Sequence, residues 1–247
     1  QVGFLATATH RSIAITYHFN PPIRKDFMEL NKIILGDCLE VMKQMPDKCV
    51  DLVVTDPPYG MSFRSNYRTI KHQAIENDNN LDWLEDWVLE LQRLVKTDAH
   101  LYIFCSFHNI DLFETELSKY FKVKNILIWE KNNTGMGDLE GDYAPQYEMV
   151  LFCSNGERKL NGRRDSNIIK NKKTGNNLHP TEKPVDLIEF LIGKSSQENE
   201  IVFDPFIGSG TTARACLNLN RQFIGIEINE EYCKIAENRL KQGVLGF

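Results

Sequence analysis

Short apolar runs recur along the chain, and most end on an acidic or a small polar residue. Lys32–Leu35 leads into Gly36-Asp37, Val50–Val54 into Thr55-Asp56, Leu101–Phe104 into Cys105-Ser106, and Asn125–Trp129 into Glu130. Met149–Phe152 leads into Cys153, Ile201–Phe203 into Asp204, and Phe223–Ile226 into Glu227. Runs this short, bounded by polar residues, read as strands. Between them, apolar residues return at helical spacing over Leu39–Gln44, Leu81–Leu94, Ile110–Tyr120, Pro184–Gly193, Thr211–Leu219 and Glu230–Gln242. Pro184 suits a first helical turn, where its missing N–H has no partner to lose. Strands alternating with helices predict an α/β fold around a mostly parallel, twisted sheet. Such sheets bind ligands beyond the carboxyl ends of their strands. Asp37, Asp56, Asp204 and Glu227 fall at those ends.

Three stretches carry no period: Gly60–Asn80, Asn132–Pro145 and Asn155–Leu178. Loops of that length inside a domain are functional or disordered. Gln1–Asp26 also lacks a period, and Asn20-Pro21-Pro22 breaks any regular element. Met28 is the first methionine, and the patterned segment starts just after it. Residues 1–27 are therefore expected to be an accessory arm or a non-native extension, and 28–247 a single domain. The opening stretch lacks the long apolar centre of a signal peptide.

The 247 residues, 42% of them hydrophobic, suffice for one substantial core. A net charge of −5 excludes a chain that coats nucleic acid with its whole surface, so any DNA contact must be local. The basic run Glu157–Lys173 is the candidate. It holds Arg158, Lys159, Arg163, Arg164, Lys170, Lys172 and Lys173 against Glu157 and Asp165. Taken alone, such a run also fits a solvated loop. The six cysteines form no Cys-x-x-Cys pair, and several sit in apolar runs as small hydrophobes. A reduced, cytoplasmic protein without a metal site is expected. No apolar stretch approaches the roughly 20 residues that span a bilayer.

Val202-Phe203-Asp204-Pro205-Phe206-Ile207-Gly208-Ser209-Gly210-Thr211-Thr212-Ala213 is a strand, a glycine turn and a helix start. The glycines let backbone turn tightly and approach a ligand closely, and the helix start offers free N–H groups. Glu227, at the end of the next strand, suits two ribose hydroxyls. Gly208-x-Gly210-x-x-Ala213 also matches the dinucleotide fingerprint, so the turn alone leaves a nicotinamide cofactor and S-adenosylmethionine open. Asp204 would crowd a pyrophosphate but could accept a hydrogen bond from an ammonium group, which favours S-adenosylmethionine.

Thr55-Asp56-Pro57-Pro58-Tyr59-Gly60 follows the strand Val50–Val54 directly. The segment makes a rigid turn whatever its function. It also resembles the (Asp/Asn/Ser)-Pro-Pro-(Tyr/Phe/Trp) signature of amino-methyltransferases. An exocyclic amine is a poor nucleophile because its lone pair is delocalised into the ring. The Asp56 carboxylate and the Pro57 carbonyl could accept its two N–H groups and expose that pair. Pro57 and Pro58 would fix the backbone, and Tyr59 would stack on the base. Such a base must first leave the duplex.

The order of motifs resembles the β class of DNA amino-methyltransferases: Asp56–Tyr59, then the basic segment, then Phe203–Thr212. His179-Pro180-Thr181-Glu182-Lys183-Pro184 is similar to that class's His-Pro-Thr-x-Lys-Pro segment, and Trp129-Glu130-Lys131 to its segment near the target base. Ile33–Cys38 and Ile224–Glu227 with Tyr232 resemble its cofactor strands. The resemblance covers roughly residues 30–242. It implies a Rossmann-like class I methyltransferase fold, circularly permuted, with helices on both faces. It implies a cofactor site of Asp37, Cys38, Asp56, Thr181, Lys183, Asp204, Phe206, Gly208, Ser209, Gly210, Thr211, Thr212 and Glu227. It implies adenine-N6 methylation of a short double-stranded DNA target by base flipping, with a small recognition insertion around 156–178. Cytosine-N4 methylation is the alternative, since the chemistry is shared; Asp at position 56 leans to adenine, and an RNA substrate ranks lower. A homodimer and a cognate restriction endonuclease are partners that the resemblance leaves open.

Overall fold

The chain runs through β1 (Lys32–Leu35), α1 (Cys38–Met42), β2 (Val50–Thr55), α2 (Leu84–Leu94), β3 (Val95–Cys105), α3 (Ile110–Ser118) and β4 (Lys122–Glu130). It continues through β5 (Tyr147–Asn155), β6 (Ile168–Lys170), α4 (Val185–Ser195), β7 (Ile201–Asp204), α5 (Thr211–Asn218), β8 (Gln222–Glu227) and α6 (Glu230–Lys241). These elements belong to a computed structural model that describes residues 29–58, 81–134, 140–172 and 182–241. The arm at 1–27, the loop Met61–Asn80, Tyr59, Lys173 and Thr181 lie outside the described residues.

The strands form one sheet in the order β1-β8-β7-β2-β3-β5-β4-β6. All neighbours are parallel except β5, which is antiparallel to β3 and β4. β2 is buried along its whole length, as a strand covered on both faces must be. Its residues alternate between two cores. Val53 packs with Leu91, Phe113 and Ile103 beneath α1, α2 and α3. Leu52 and Val54 pack with Leu187, Leu191 and Tyr102 beneath α4 and α5. The fold is thus Rossmann-like with helices on both faces. It is permuted, because the pair β7 and β8 comes last in the chain but sits between β1 and β2 in the sheet.

Two elements differ from the sequence reading. β3 begins at Val95, straight after α2, so the polar stretch Lys96-Thr97-Asp98 is strand. β6 was not expected at all. It lies inside the basic run and pairs parallel to β4, Ile128 against Ile168 and Glu130 against Lys170. Among the described residues, no helix is long and apolar enough to cross a membrane.

Candidate active site

Sheet register brings the four acidic strand ends to one edge. Leu35 pairs with Glu227, Asp204 with Gly225, and Val53 with Phe203. Asp37, Glu227, Asp204 and Asp56 therefore follow one another across four neighbouring strands, spaced by about 4.8 Å. Asp37 caps α1: its Oδ1 accepts the Leu39 and Glu40 amides at 2.9 and 3.2 Å. Burial and the adjacent Asp37 charge push the Cys38 thiol up to about 12. Cys38 is therefore a small apolar contact, not a reactive thiolate. The Glu227 carboxylate accepts the Gly208 amide at 3.0 Å and the Asn229 amide at 2.8 Å.

The glycine turn is held by close approach. Gly210 has φ +81°, and a Cβ there would stand 2.8 Å from the Ala236 Cβ of α6. Gly225 lies flat under Ile207, whose Cδ1 would be 2.1 Å from an added Cβ. Phe206 points into an aromatic cluster, its ring centroid 5.6 Å from Trp83 and 5.9 Å from Trp87.

Asp204 is engaged inward. Its Oδ1 accepts the Thr55 hydroxyl at 2.8 Å and the Phe206 amide at 3.1 Å, and its Oδ2 accepts the Thr212 hydroxyl at 2.6 Å. Burial pushes its carboxyl up to about 6, against the pull of these donors. The carboxylate thus ties the end of β2 to the start of α5. Thr212 serves that tie rather than facing outward.

Arg239 of α6 was not anticipated. Its Nη1 meets Glu182 Oε1 at 2.9 Å, Thr211 Oγ1 at 3.1 Å and both the carbonyl and hydroxyl of Ser209 at 3.4 Å. Both members of this ion pair are nearly buried, with side-chain exposures of 12% and 7%. The last helix thereby clamps the segment before α4 onto the glycine turn. Position 239 lies in a helix of ordinary charge pattern, so nothing in the sequence marked it.

The catalytic motif meets a chain of charges. Pro57 is buried beside half-buried Asp56 and Pro58. The Lys183 ammonium meets Asp56 Oδ2 at 2.5 Å and Glu148 Oε2 at 3.0 Å, and Lys131 meets Glu148 Oε1 at 2.7 Å. The Phe104 ring lies 4.9 Å from Lys183 Nζ. Burial works against the Lys183 charge, but Asp56 and Glu148 outweigh it and raise its pKa. Glu148 is likewise held ionised, against its burial, by Lys183 and Lys131. Lys183, expected near the cofactor, pairs with these two carboxylates.

The basic run is divided. Arg158 ion-pairs with Glu200, just before β7, and donates to the Asp98 carbonyl near the start of β3. Lys194, near the end of α4, donates to the carbonyls of Asn161 and Arg163 and pairs with Asp165. This half, with Lys159, Arg163 and Arg164, sits at the amino end of the sheet, away from Asp56. Parallel β6 then carries the chain back to the carboxyl end. Lys170 stands 3.5 Å from Glu130 there, and the Trp129 indole donates to the Asn171 carbonyl at 3.0 Å. Lys170 and Lys172 are exposed at the carboxyl end of the sheet.

This arrangement is that of an amino-methyltransferase. The chain belongs to the N6/N4 DNA methylase family, whose model matches residues 50–238. It is similar to the DNA adenine methyltransferase YhdJ of Escherichia coli (strain K12), 29% identical over 86% of this chain and 83% of that protein. It is similar to the type II methyltransferase M.HpaI of Haemophilus parainfluenzae, 30% identical over 87% of this chain and 76% of that protein. The structure of M1.HpyAVI in complex with SAM matches with a TM-score of 0.68 and 31% identity, over 85% of this chain and 99% of that one. The protein is a DNA methyltransferase that uses S-adenosylmethionine. The residues fit that group: Asp37 and Glu227, at neighbouring strand ends, suit an ammonium and ribose hydroxyls, and the turn at Gly210 leaves no room for a side chain.

Proposed function

We propose that the protein methylates the N6 amino group of adenine in a short double-stranded DNA target, with the base turned out of the duplex. The observation that carries this reading is Asp56, an ionisable acceptor followed by buried Pro57 at the carboxyl end of the central strand. Asp56 and the Pro57 carbonyl would accept the two N–H groups of the amine, and Pro57-Pro58 would hold them in place. Tyr59 is expected to stack on the base. When bound, S-adenosylmethionine supplies a methyl group on a sulfonium, whose carbon–sulfur bond breaks as the amine nitrogen takes the methyl. The proton then leaving nitrogen has the Asp56 carboxylate as its acceptor. Asp37, Glu227 and the turn Gly208–Thr211 would hold the cofactor, with Asp204, Thr212 and Arg239 shaping the turn.

Lys170 and Lys172, exposed on the catalytic side, are the basic residues that we assign to DNA phosphate. Adenine is favoured over cytosine by Asp at position 56, where Ser is commoner in the cytosine enzymes. The test is transfer of labelled methyl to unmethylated DNA, followed by nucleoside mass analysis. N6-methyladenine is the expected product. N4-methylcytosine would overturn the adenine reading, and transfer to RNA alone would overturn the DNA target.

A further inference from the structure

We infer that Glu148 is a positioning residue for methyl transfer: backed by Lys131, it holds the Lys183 ammonium against Asp56 and so aims the carboxylate that receives the target amine. The inference rests on the role of Asp56 proposed above.

Topology requires an intermediary. Glu148 is the second residue of β5 and Asp56 follows the last residue of β2, but β3 lies between those strands. Two strand spacings separate their backbones by about 10 Å, so the two carboxylates act on one another only through a group held between them. Lys183 comes from outside the sheet, in the segment before α4, and bridges over β3. Phe104 of β3 lies beneath it at 4.9 Å. The ammonium stands between two carboxylates from different segments, 2.5 Å from Asp56 and 3.0 Å from Glu148, and two opposing charges hold it more tightly than one could.

The charges alternate: Asp56, Lys183, Glu148 and Lys131 sum to zero. Lys131 is itself anchored. Its amide donates to the Gln146 carbonyl at 2.8 Å, the Gln146 side-chain amide donates to the Lys131 carbonyl at 3.1 Å, and its Nζ lies 5.2 Å from the Trp129 ring centre. Removing the Glu148 charge would leave two cations facing each other across its place. Their repulsion would displace Lys183 and, with it, the carboxylate that Lys183 holds. Loss of alignment at a reacting centre lowers the chemical step while leaving ligand affinity in place.

The test is single-turnover methyl transfer by Glu148→Gln, with cofactor and DNA dissociation constants measured in parallel. The rate should fall by about tenfold or more, with both constants within about threefold of wild type. Lys131→Met should give a smaller fall of the same kind. Adding Lys131→Met to Glu148→Gln should restore part of the rate, because the stranded cation is gone. A Glu148→Gln rate within twofold of wild type would overturn the inference. So would a loss matched by equal loss of cofactor binding, or a double variant slower than Glu148→Gln alone. The wild-type product, read in the same digests, bears on the proposed base separately: methylcytosine in place of methyladenine would change the target while the rate ratios still decide the role of Glu148.

Discussion

The two ends of the sheet are both rich in buried polar groups, yet they use them differently. At the amino end, polar side chains close upon one another. His100 Nδ1 lies 2.8 Å from the Ser195 hydroxyl, which lies 2.7 Å from the Tyr102 hydroxyl, and His100 Nε2 lies 3.0 Å from the Arg158 carbonyl. Asp51 pairs with Lys96 at 2.7 Å and accepts the Ile201 amide at 3.0 Å. These contacts fasten loops to strands. At the carboxyl end, the charges are collected from distant parts of the chain and are aimed along one edge. Asp56, Lys183, Glu148 and Lys131 come from four separate segments. A buried charge is thus not by itself a mark of function; what distinguishes the carboxyl end is that its groups converge on one place.

The largest expected effect is on the clamp at the carboxyl end. Arg239→Ala leaves Glu182 buried without its cation, a change that costs about 3–5 kcal/mol in such pairs. A large fall in melting temperature with weakened cofactor binding is expected; an unchanged melting curve would show that the glycine turn does not depend on α6. Next comes Asp56→Ala, which should slow single-turnover transfer by at least about 100-fold with cofactor affinity retained. Transfer at the wild-type rate would remove the chemistry from that end altogether.

A third prediction concerns the amino end. Burial lowers the His100 pKa to about 4, with the Arg158 carbonyl partly offsetting it. The folded state then binds fewer protons than the unfolded state, whose histidine titrates near 6.5. Stability from this group is present above about 6.5 and is lost as pH falls toward 4, by at most about 3 kcal/mol. His100→Gln should flatten the melting temperature over that window; an unchanged slope would place the acid sensitivity elsewhere. The smallest effect sharpens the contrast between the ends. Lys170→Ala with Lys172→Ala should weaken DNA binding and reduce its salt dependence, while Arg163→Ala with Arg164→Ala should change either little. The reverse result, from fluorescence anisotropy over a salt series, would put DNA at the amino end.

Much of this architecture could be read from local pattern. Seven strands and six helices carry their own periodicity, and the acidic residues that end β1, β2, β7 and β8 mark the ligand edge. β6 could not be read, because Ile168-Ile169-Lys170 is short and sits among charges; it is a strand only because β4 offers it a partner. For the same reason, a single basic run in sequence became two separate surfaces. The charge chain was also hidden. Lys183 stood out through its segment, but Glu148 is unremarkable in its local setting, and nothing in the sequence joins the two. Asp204 was legible as a site residue but not in its task, since its partners Thr55 and Thr212 become visible only when β2 and β7 pair.

That pairing has a consequence for how the protein is made. Thr55 and Asp204 are 149 residues apart, yet they join the two central strands. At about 5–20 residues per second, the ribosome takes roughly 7–30 s to deliver β7 after β2 has emerged. Throughout that interval β2, apolar on both faces, has one edge without its partner. Pairings so distant in sequence are slow to form, and an exposed apolar edge invites other chains. The permuted order therefore places the nascent chain's greatest risk of aggregation before β7 exists, and stalling or truncation upstream of residue 201 would yield insoluble product, not a partly active enzyme.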